Sequence, residues 1–178
     1  MDNFAITGMG RSGTKFLAGL LNRAVGWTVE HEPHPGFQSL QEVVKRFDKS
    51  NYGEVNSYLR YQILSIPVSF RAVILRDPRD IFHSMYNRGK PDLERLNEVL
   101  VSLDSTLSSG KVSIISFSKM TSDRDYLKSL IDDIGLKIEL PLDLSRVNAS
   151  NRKVMSTSLN IKSGKKLSWF VRAYKELF

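Results

Sequence analysis

The chain has 178 residues, of which 41% are hydrophobic and 25% charged, the composition of an ordinary globular protein rather than of a fibrous or disordered one. It contains no cysteine, which excludes disulfide frameworks and zinc–thiolate sites. The formal net charge of +7 favours a polyanionic partner, either nucleic acid or a nucleotide with several phosphates, although many small proteins are simply basic.

The length suits a single domain over residues 1–178, because no internal repeat, low-complexity tract or linker interrupts the chain. The N-terminus lacks the basic and apolar segments of a signal peptide, and no apolar run is long enough to span a membrane. We therefore expect a cytoplasmic protein that has no membrane partner. The sequence does not indicate an oligomeric state.

Short apolar runs alternate with helical patterns, and the predicted strands and helices follow in chain order. They are a strand at Phe4–Thr7, a helix at Thr14–Ala24, a strand at Trp27–Glu30, helices at Phe37–Phe47 and Val55–Ile66, a strand at Arg71–Leu75, a helix beginning at Pro78, a helix at Asp92–Leu107, a strand at Lys111–Phe117, and helices at Asp123–Ile134 and Lys165–Leu177. This order predicts an α/β fold of three layers, α/β/α, around a central parallel sheet. Ligands of such sheets bind beyond the carboxyl ends of the strands.

A glycine-rich loop follows the first predicted strand. Glycines allow a tight turn close to a ligand, and the start of the next helix offers backbone N–H groups to a phosphate. The residues that would surround the phosphate are Gly10, Arg11, Ser12, Gly13, Thr14 and Lys15. The loop nearly matches the nucleotide-binding pattern G-x-x-x-x-G-K-[ST], but its last pair is swapped, which disfavours an ordinary ATPase or GTPase. The alternative is a turn that only connects two elements.

A second anion site is predicted in the segment 73–84. Val73–Asp77 has the form of a strand ending in a magnesium-binding aspartate, but an arginine precedes the aspartate and a proline follows it. Arg76 at the strand end and Ser84, about two helical turns onward, are placed to converge on one phosphate.

Together the two motifs resemble those of the sulfotransferases that use 3′-phosphoadenosine-5′-phosphosulfate (PAPS). R-S-G-T at 11–14 resembles that family's 5′-phosphosulfate loop, and R-D-P-R-D-x-x-x-S at 76–84 resembles its 3′-phosphate motif. The segment 112–135 resembles a later strand–helix unit of the family, although Ser116–Lys119 lacks the arginine, tyrosine and acids often found there. There, only Phe117 keeps an aromatic ring that could stack near an adenine.

The resemblance implies a compact, P-loop-like sulfotransferase with PAPS as donor, adenosine 3′,5′-bisphosphate (PAP) as product, and no required metal. The loop residues 11–15 would cradle the phosphosulfate, while Arg76, Ser84 and, one turn later, Arg88 would hold the 3′-phosphate. Arg88 is equally explained as a solvated helix position. The basic segments 151–153 and 162–166 could close over the donor or could be a solvated tail.

The catalytic base is expected in the cluster Glu30-His31-Glu32-Pro33-His34. Strand-like alternation would place Glu30, Glu32 and His34 on one side and His31 on the other. Glutamate bases of the family occupy a comparable position, so Glu32 is the first candidate and His31 and His34 are the next. A structural polar cluster is an alternative, whereas metal binding is disfavoured because H-E-x-H between prolines is not the helical zinc pattern.

We therefore expect sulfuryl transfer to a hydroxyl or amine, with Glu32 or His31 as base and Lys15 and Arg11 stabilising the leaving oxygen. The partner would be a small-molecule, carbohydrate or peptide acceptor, and no nucleic acid is expected. Glu54 is a further candidate for orienting the acceptor, and an exposed carboxylate at the start of a helix explains it equally well. Two other interpretations are open, a P-loop kinase of a nucleotide or small metabolite and a non-catalytic nucleotide- or nucleic-acid-binding module.

Overall fold

The computed structural model describes residues 2–34, 36–86 and 93–140. Within these ranges five strands form one sheet, in the spatial order β2-β3-β1-β4-β5, and all neighbours run parallel. The strands are β1 (Phe4–Gly8), β2 (Thr28–His31), β3 (Tyr52–Val55), β4 (Phe70–Leu75) and β5 (Ser113–Ser116). The predicted α/β architecture with a central parallel sheet is confirmed.

Helices cover both faces of this sheet. They are α1 (Thr14–Leu21), α2 (Leu40–Arg46), α3 (Pro78–Tyr86), α4 (Leu93–Ser108), α5 (Phe117–Ser122) and α6 (Arg124–Ile134), with 3₁₀ helices at Ser57–Tyr61 and Ile63–Ser65. The predicted helix at Lys165–Leu177 lies outside the described residues, as do Arg88 and the basic segments 151–153 and 162–166. Among the described helices, none combines the length and apolar character needed to cross a membrane.

The side chains of a single strand enter two different cores. On β4, Ala72 and Ile74 join the apolar cluster that contains residues of α1 and α6, whereas Val73 and Leu75 join the cluster on the opposite face with α3 and α4. All four side chains are buried. The near-continuous apolar run in the sequence is thus the signature of a strand covered on both faces.

The predicted helix at Val55–Ile66 is wrong. Val55 is the last residue of β3, and the rest of the segment contains the two short 3₁₀ helices. β3 lies between β2 and β1, and its Gly53 is required because a Cβ there would lie 2.0 Å from the ring of Phe4. The missed strand brings the 3₁₀ helix Ser57–Tyr61 to the carboxyl edge of the sheet.

Local capping explains several helix boundaries. Ser39 and Glu42 form a reciprocal capping box, so α2 begins at Leu40 rather than at the predicted Phe37. Asp123 caps α6, and Gly135 ends it in the left-handed conformation, as the sequence predicts. The short α5 was not predicted, because it follows β5 without any intervening turn residue.

Candidate active site

The loop between β1 and α1 has a left-handed backbone conformation at two positions, which residues other than glycine rarely adopt. Arg11 and Gly13 both have positive φ angles, 74° and 94°, and the Ser12 N–H donates to the Met9 carbonyl at 3.0 Å. A Cβ at Gly13 would lie 2.7 Å from the ring of Phe117. Gly13 therefore permits both the turn and the close contact between the loop and α5.

The start of α1 offers the donors that an anion needs. No side chain caps the helix at Gly13, so its first N–H groups have no side-chain acceptor. Lys15 stands exposed in the first turn. The hydroxyl of Ser12 is buried and has no hydrogen-bond partner among the described residues. Uncapped amides, a cation and an unsatisfied hydroxyl in one short loop fit a phosphate or sulfate group.

Arg76 connects the end of β4 to this loop. Its Nη1 donates to the Arg11 carbonyl at 2.8 Å, and its guanidinium lies 4.3 Å from the centre of the Phe117 ring. Asp80, one helical turn onward, lies 3.8 Å from its Nε and is half-exposed. Arg76 is thus held between α5 and the loop, with its charge at the carboxyl edge of the sheet.

The two sequence motifs meet through their side chains. Arg11 donates from its Nε to the hydroxyl of Ser84 at 3.1 Å, although the two residues are 73 positions apart. Because Arg76 contacts the backbone of the same Arg11, the structure brings Arg11, Arg76 and Ser84 together. The sequence predicts Arg76 and Ser84 for one anion site and Arg11 for the other, and the contact between the two motifs was not predicted. Two guanidinium groups and a hydroxyl converge where β1 and β4 end.

His31, at the end of β2, contacts the loop directly. Its Nε2 lies 3.2 Å from the hydroxyl of Thr14. Burial is the largest influence on this imidazole and lowers its pKa below the ordinary value of 6.5; Lys15 lowers it further, while Glu32 opposes the shift. His31 is therefore neutral at pH 7, and one of its ring nitrogens is able to accept a proton.

Glu32 does not follow the predicted alternation. Its φ of 45° is left-handed, so the strand pattern ends at His31. The Glu32 carboxylate accepts a hydrogen bond of 2.6 Å from Ser57, whereas Glu30 accepts one of 2.6 Å from the Tyr52 phenol. The two glutamates thus have different partners, and the predicted strand-like alternation does not extend to Glu32.

Two other members of the predicted set lie away from the loop. His34 is exposed beyond β2. Glu54 is fully buried in β3, where Arg46 binds it through two hydrogen bonds of 2.9 Å and Asn56 donates to it at 2.7 Å. The description of Glu54 as an exposed helix-start carboxylate is therefore wrong, and its contacts join α2 to the sheet.

Phe117 supports the loop instead of offering a face to a ligand. Phe117 is only 4% exposed, and its ring packs against both Gly13 and Arg76. With Arg76 over its ring and little of the residue exposed, Phe117 offers no open face for the expected stacking on an adenine. Sequence analysis missed this supporting role and that of Ser57, since both depend on contacts between distant segments. In the part of the chain that the structure describes, no group of three His, Asp or Glu side chains is placed to hold a metal ion.

The fold is that of solved sulfotransferases. A sulfotransferase from Alicyclobacillus acidocaldarius aligns with a TM-score of 0.52 and 15% sequence identity over 80% of this chain and 84% of that one. Mouse sulfotransferase SULT7A1, solved in complex with PAP, aligns with a TM-score of 0.53 and 16% identity over 83% of this chain and 63% of that one. No family model matches the chain, and neither does any curated protein.

Proposed function

We propose that this chain transfers a sulfuryl group from PAPS to a hydroxyl or amine acceptor and releases PAP. The observation that carries the proposal is the convergence of Arg11, Arg76 and Ser84, which unites the two anion-binding motifs at one edge of a sulfotransferase fold. A donor with phosphate groups at both its 3′ and 5′ positions suits two such motifs lying side by side.

The charges of the loop suit the leaving group. PAPS supplies the activated sulfuryl group, and its S–O bond to the 5′-phosphate breaks as the acceptor oxygen or nitrogen bonds to sulfur. Negative charge then develops on the leaving phosphate oxygen, where Lys15, Arg11 and the amides at the start of α1 would stabilise it. The planar guanidinium groups of Arg11 and Arg76 would also fix the orientation of the donor.

The contacts favour His31 over Glu32 as the base that takes the acceptor's proton. His31 lies against Thr14 at the start of α1, and its lowered pKa leaves the imidazole mostly neutral at pH 7, in the form that can accept a proton. Glu32 is held by Ser57 and raises the basicity of the adjacent imidazole. Its proposed role is to keep the proton affinity of the imidazole higher than burial alone would leave it.

Calorimetric titration with PAP tests the donor site. We expect PAP to bind without magnesium, and Arg76→Ala to weaken its affinity at least about tenfold, because a charged hydrogen bond to phosphate is worth about 1.5–3 kcal/mol. Arg79→Ala is the matched control. It removes the same charge from the same motif, but Arg79 is exposed and pairs with Asp77, so PAP affinity should change less than about threefold.

The same titration separates the competing functions. Magnesium-dependent ATP binding without PAP binding would replace the proposal with a P-loop kinase. Equal effects of Arg76→Ala and Arg79→Ala would remove Arg76 from the donor site. Tight PAP binding with no sulfate transfer to any acceptor in a broad screen would indicate a non-catalytic nucleotide-binding module. Circular dichroism of Arg76→Ala checks that the fold is retained.

A further inference from the structure

Glu32, the residue directly after β2, has a backbone conformation that needs support. Its φ of 45° lies in the left-handed region, which residues other than glycine rarely adopt. Such a conformation persists where the surrounding contacts hold it. Within the described part of the chain, the hydrogen-bond partner of the Glu32 carboxylate is Ser57, whose hydroxyl donates to it at 2.6 Å. The position of this carboxylate therefore depends on Ser57.

Ser57 is itself fixed by the segments around it. It is buried at the start of the 3₁₀ helix that follows β3, and Nη1 of the buried Arg60 donates to its carbonyl at 2.7 Å. Asn56, the preceding residue, caps this helix by accepting from the Tyr58 N–H at 2.8 Å. The Asn56 carbonyl accepts from the hydroxyl of Thr7 at 2.9 Å. Because Thr7 lies in β1 just before the loop, these contacts hold Ser57 at a fixed place relative to the loop.

The charged groups that act on His31 have opposite effects on its imidazole. Lys15, from α1, adds to the effect of burial and lowers the pKa of His31, whereas Glu32 raises it. On the neighbouring strand β3, the uncharged Val55 lies opposite His31. Of these influences, Glu32 is the one that favours the protonated imidazole. The place of its carboxylate thus affects how readily His31 takes up a proton.

We infer that Ser57 is a positioning residue for His31 and that it acts by holding the Glu32 carboxylate beside the imidazole. The use of His31 as a base rests on the proposed sulfuryl transfer, whereas the coupling of the three residues rests on their contacts. A hydroxyl that donates to an ionised carboxylate forms a strong, directed hydrogen bond. Ser57 keeps its proton throughout, and its effect on His31 passes through Glu32.

Titration of the His31 ring by NMR on the intact chain tests the inference without any acceptor. The chain has three histidines, and His31→Asn identifies the resonance that belongs to His31. We expect Ser57→Ala to lower the pKa of His31, because the released Glu32 carboxylate can turn into water and oppose the effect of burial less. Glu32→Gln should lower this pKa at least as far. Calorimetry should show the same PAP affinity for Ser57→Ala as for the wild-type chain, since the Ser57 hydroxyl binds Glu32.

A double variant separates this positioning role from a purely structural one. If Ser57 acts through Glu32, the variant Ser57→Ala/Glu32→Gln should titrate at His31 with the same midpoint as Glu32→Gln alone, because no carboxylate is left to hold. Such non-additivity is the mark of two residues that act as a unit. If Ser57 only supported the packing around His31, Ser57→Ala would shift the midpoint equally with and without the Glu32 carboxylate.

Ser39→Ala is the matched control, because Ser39 also donates to a glutamate, Glu42, at 2.7 Å, but within the capping box of α2. It should leave the His31 midpoint unchanged. An unchanged or raised midpoint in Ser57→Ala, an equal shift in Ser39→Ala, or additive shifts in the double variant would overturn the inference. Failure of PAP to bind the wild-type chain would refute the donor site instead. Turnover that does not follow the titration of His31 would refute its role as base and leave its coupling to Ser57 intact.

Discussion

His31 at the end of β2 and Glu32 directly after it have different roles, although they are adjacent in the chain. His31 contacts the loop, while Glu32 turns back towards Ser57 because its backbone is left-handed. If His31 is the base, activity should rise with pH as the imidazole loses its proton, with a midpoint below 6.5, since burial lowers its pKa. His31→Asn should reduce turnover about 100-fold or more and abolish this rise, without changing PAP affinity.

Glu32→Gln separates the two candidates. It keeps an acceptor for the Ser57 hydroxyl but removes the charge that opposes the lowering of the His31 pKa, so it should shift the pH midpoint further down and leave most of the turnover at pH 7. Rates would be measured from pH 5 to pH 8 with an acceptor found by screening. Loss of turnover in Glu32→Gln with an active His31→Asn would assign the base to Glu32 instead.

The side chains found from sequence are those encoded in short, contiguous motifs. Arg11, Arg76 and Ser84 were identified because each lies at a fixed offset from a predicted strand end, and the topology then joins the strand ends. Phe117 and Ser57 could not be assigned their contacts in that way. Their partners, Gly13 and Glu32, are set by packing between segments whose relative position no local pattern contains.

The strands and helices were predictable wherever apolar runs were continuous. β1, β4 and β5 have that pattern, whereas β3 has the sequence Tyr-Gly-Glu-Val, in which glycine and a buried glutamate obscure the strand. Glycine is present because Phe4 packs across it, and the charge of Glu54 is offset by Arg46 from α2. Tertiary contacts thus stabilise β3, although its residues have a low intrinsic preference for a strand.

The Arg46–Glu54 pair should therefore stabilise the junction of α2 with the sheet. We expect Arg46→Met to lower the free energy of unfolding by about 3 kcal/mol or more, because it leaves a carboxylate buried without its cation. The double variant Arg46→Met/Glu54→Gln should recover most of that loss, since no buried charge is left unpaired. Urea unfolding followed by circular dichroism measures both effects.

Arg79→Ala supplies the comparison for that experiment. It breaks the ion pair with Asp77, but the Arg79 side chain is 60% exposed, so the loss should stay below about 1 kcal/mol. If Arg46→Met lowered the free energy of unfolding no more than Arg79→Ala does, the Glu54 carboxylate would not need Arg46. Water, or the hydrogen bonds from Tyr52 and Asn56, would then be enough to stabilise its charge. A double variant no more stable than Arg46→Met would contradict the burial argument.

The net charge of +7 has two explanations at the scale of the whole molecule, a diffuse basic surface or a specific nucleotide site. A diffuse positive surface would bind any polyanion, with an affinity that salt screens strongly. A built site would hold one nucleotide through directed, partly buried contacts that salt screens much less. Arg11 and Arg76 are partly buried and contact each other, which favours the specific nucleotide site.

The salt dependence of binding distinguishes a diffuse basic surface from a specific nucleotide site. Between about 50 and about 200 mM salt, a protein that contacts six to ten phosphates of duplex DNA loses about 10³-fold or more in affinity. We expect any binding of a labelled 20-base-pair duplex to follow that steep course, while PAP affinity falls by less than about tenfold over the same range. Fluorescence polarisation for the duplex and calorimetry for PAP give the two slopes. Parallel slopes, or a duplex that binds more tightly than PAP at the higher salt, would mean that the charge serves nucleic acid and that the converging arginines are one part of a general basic surface.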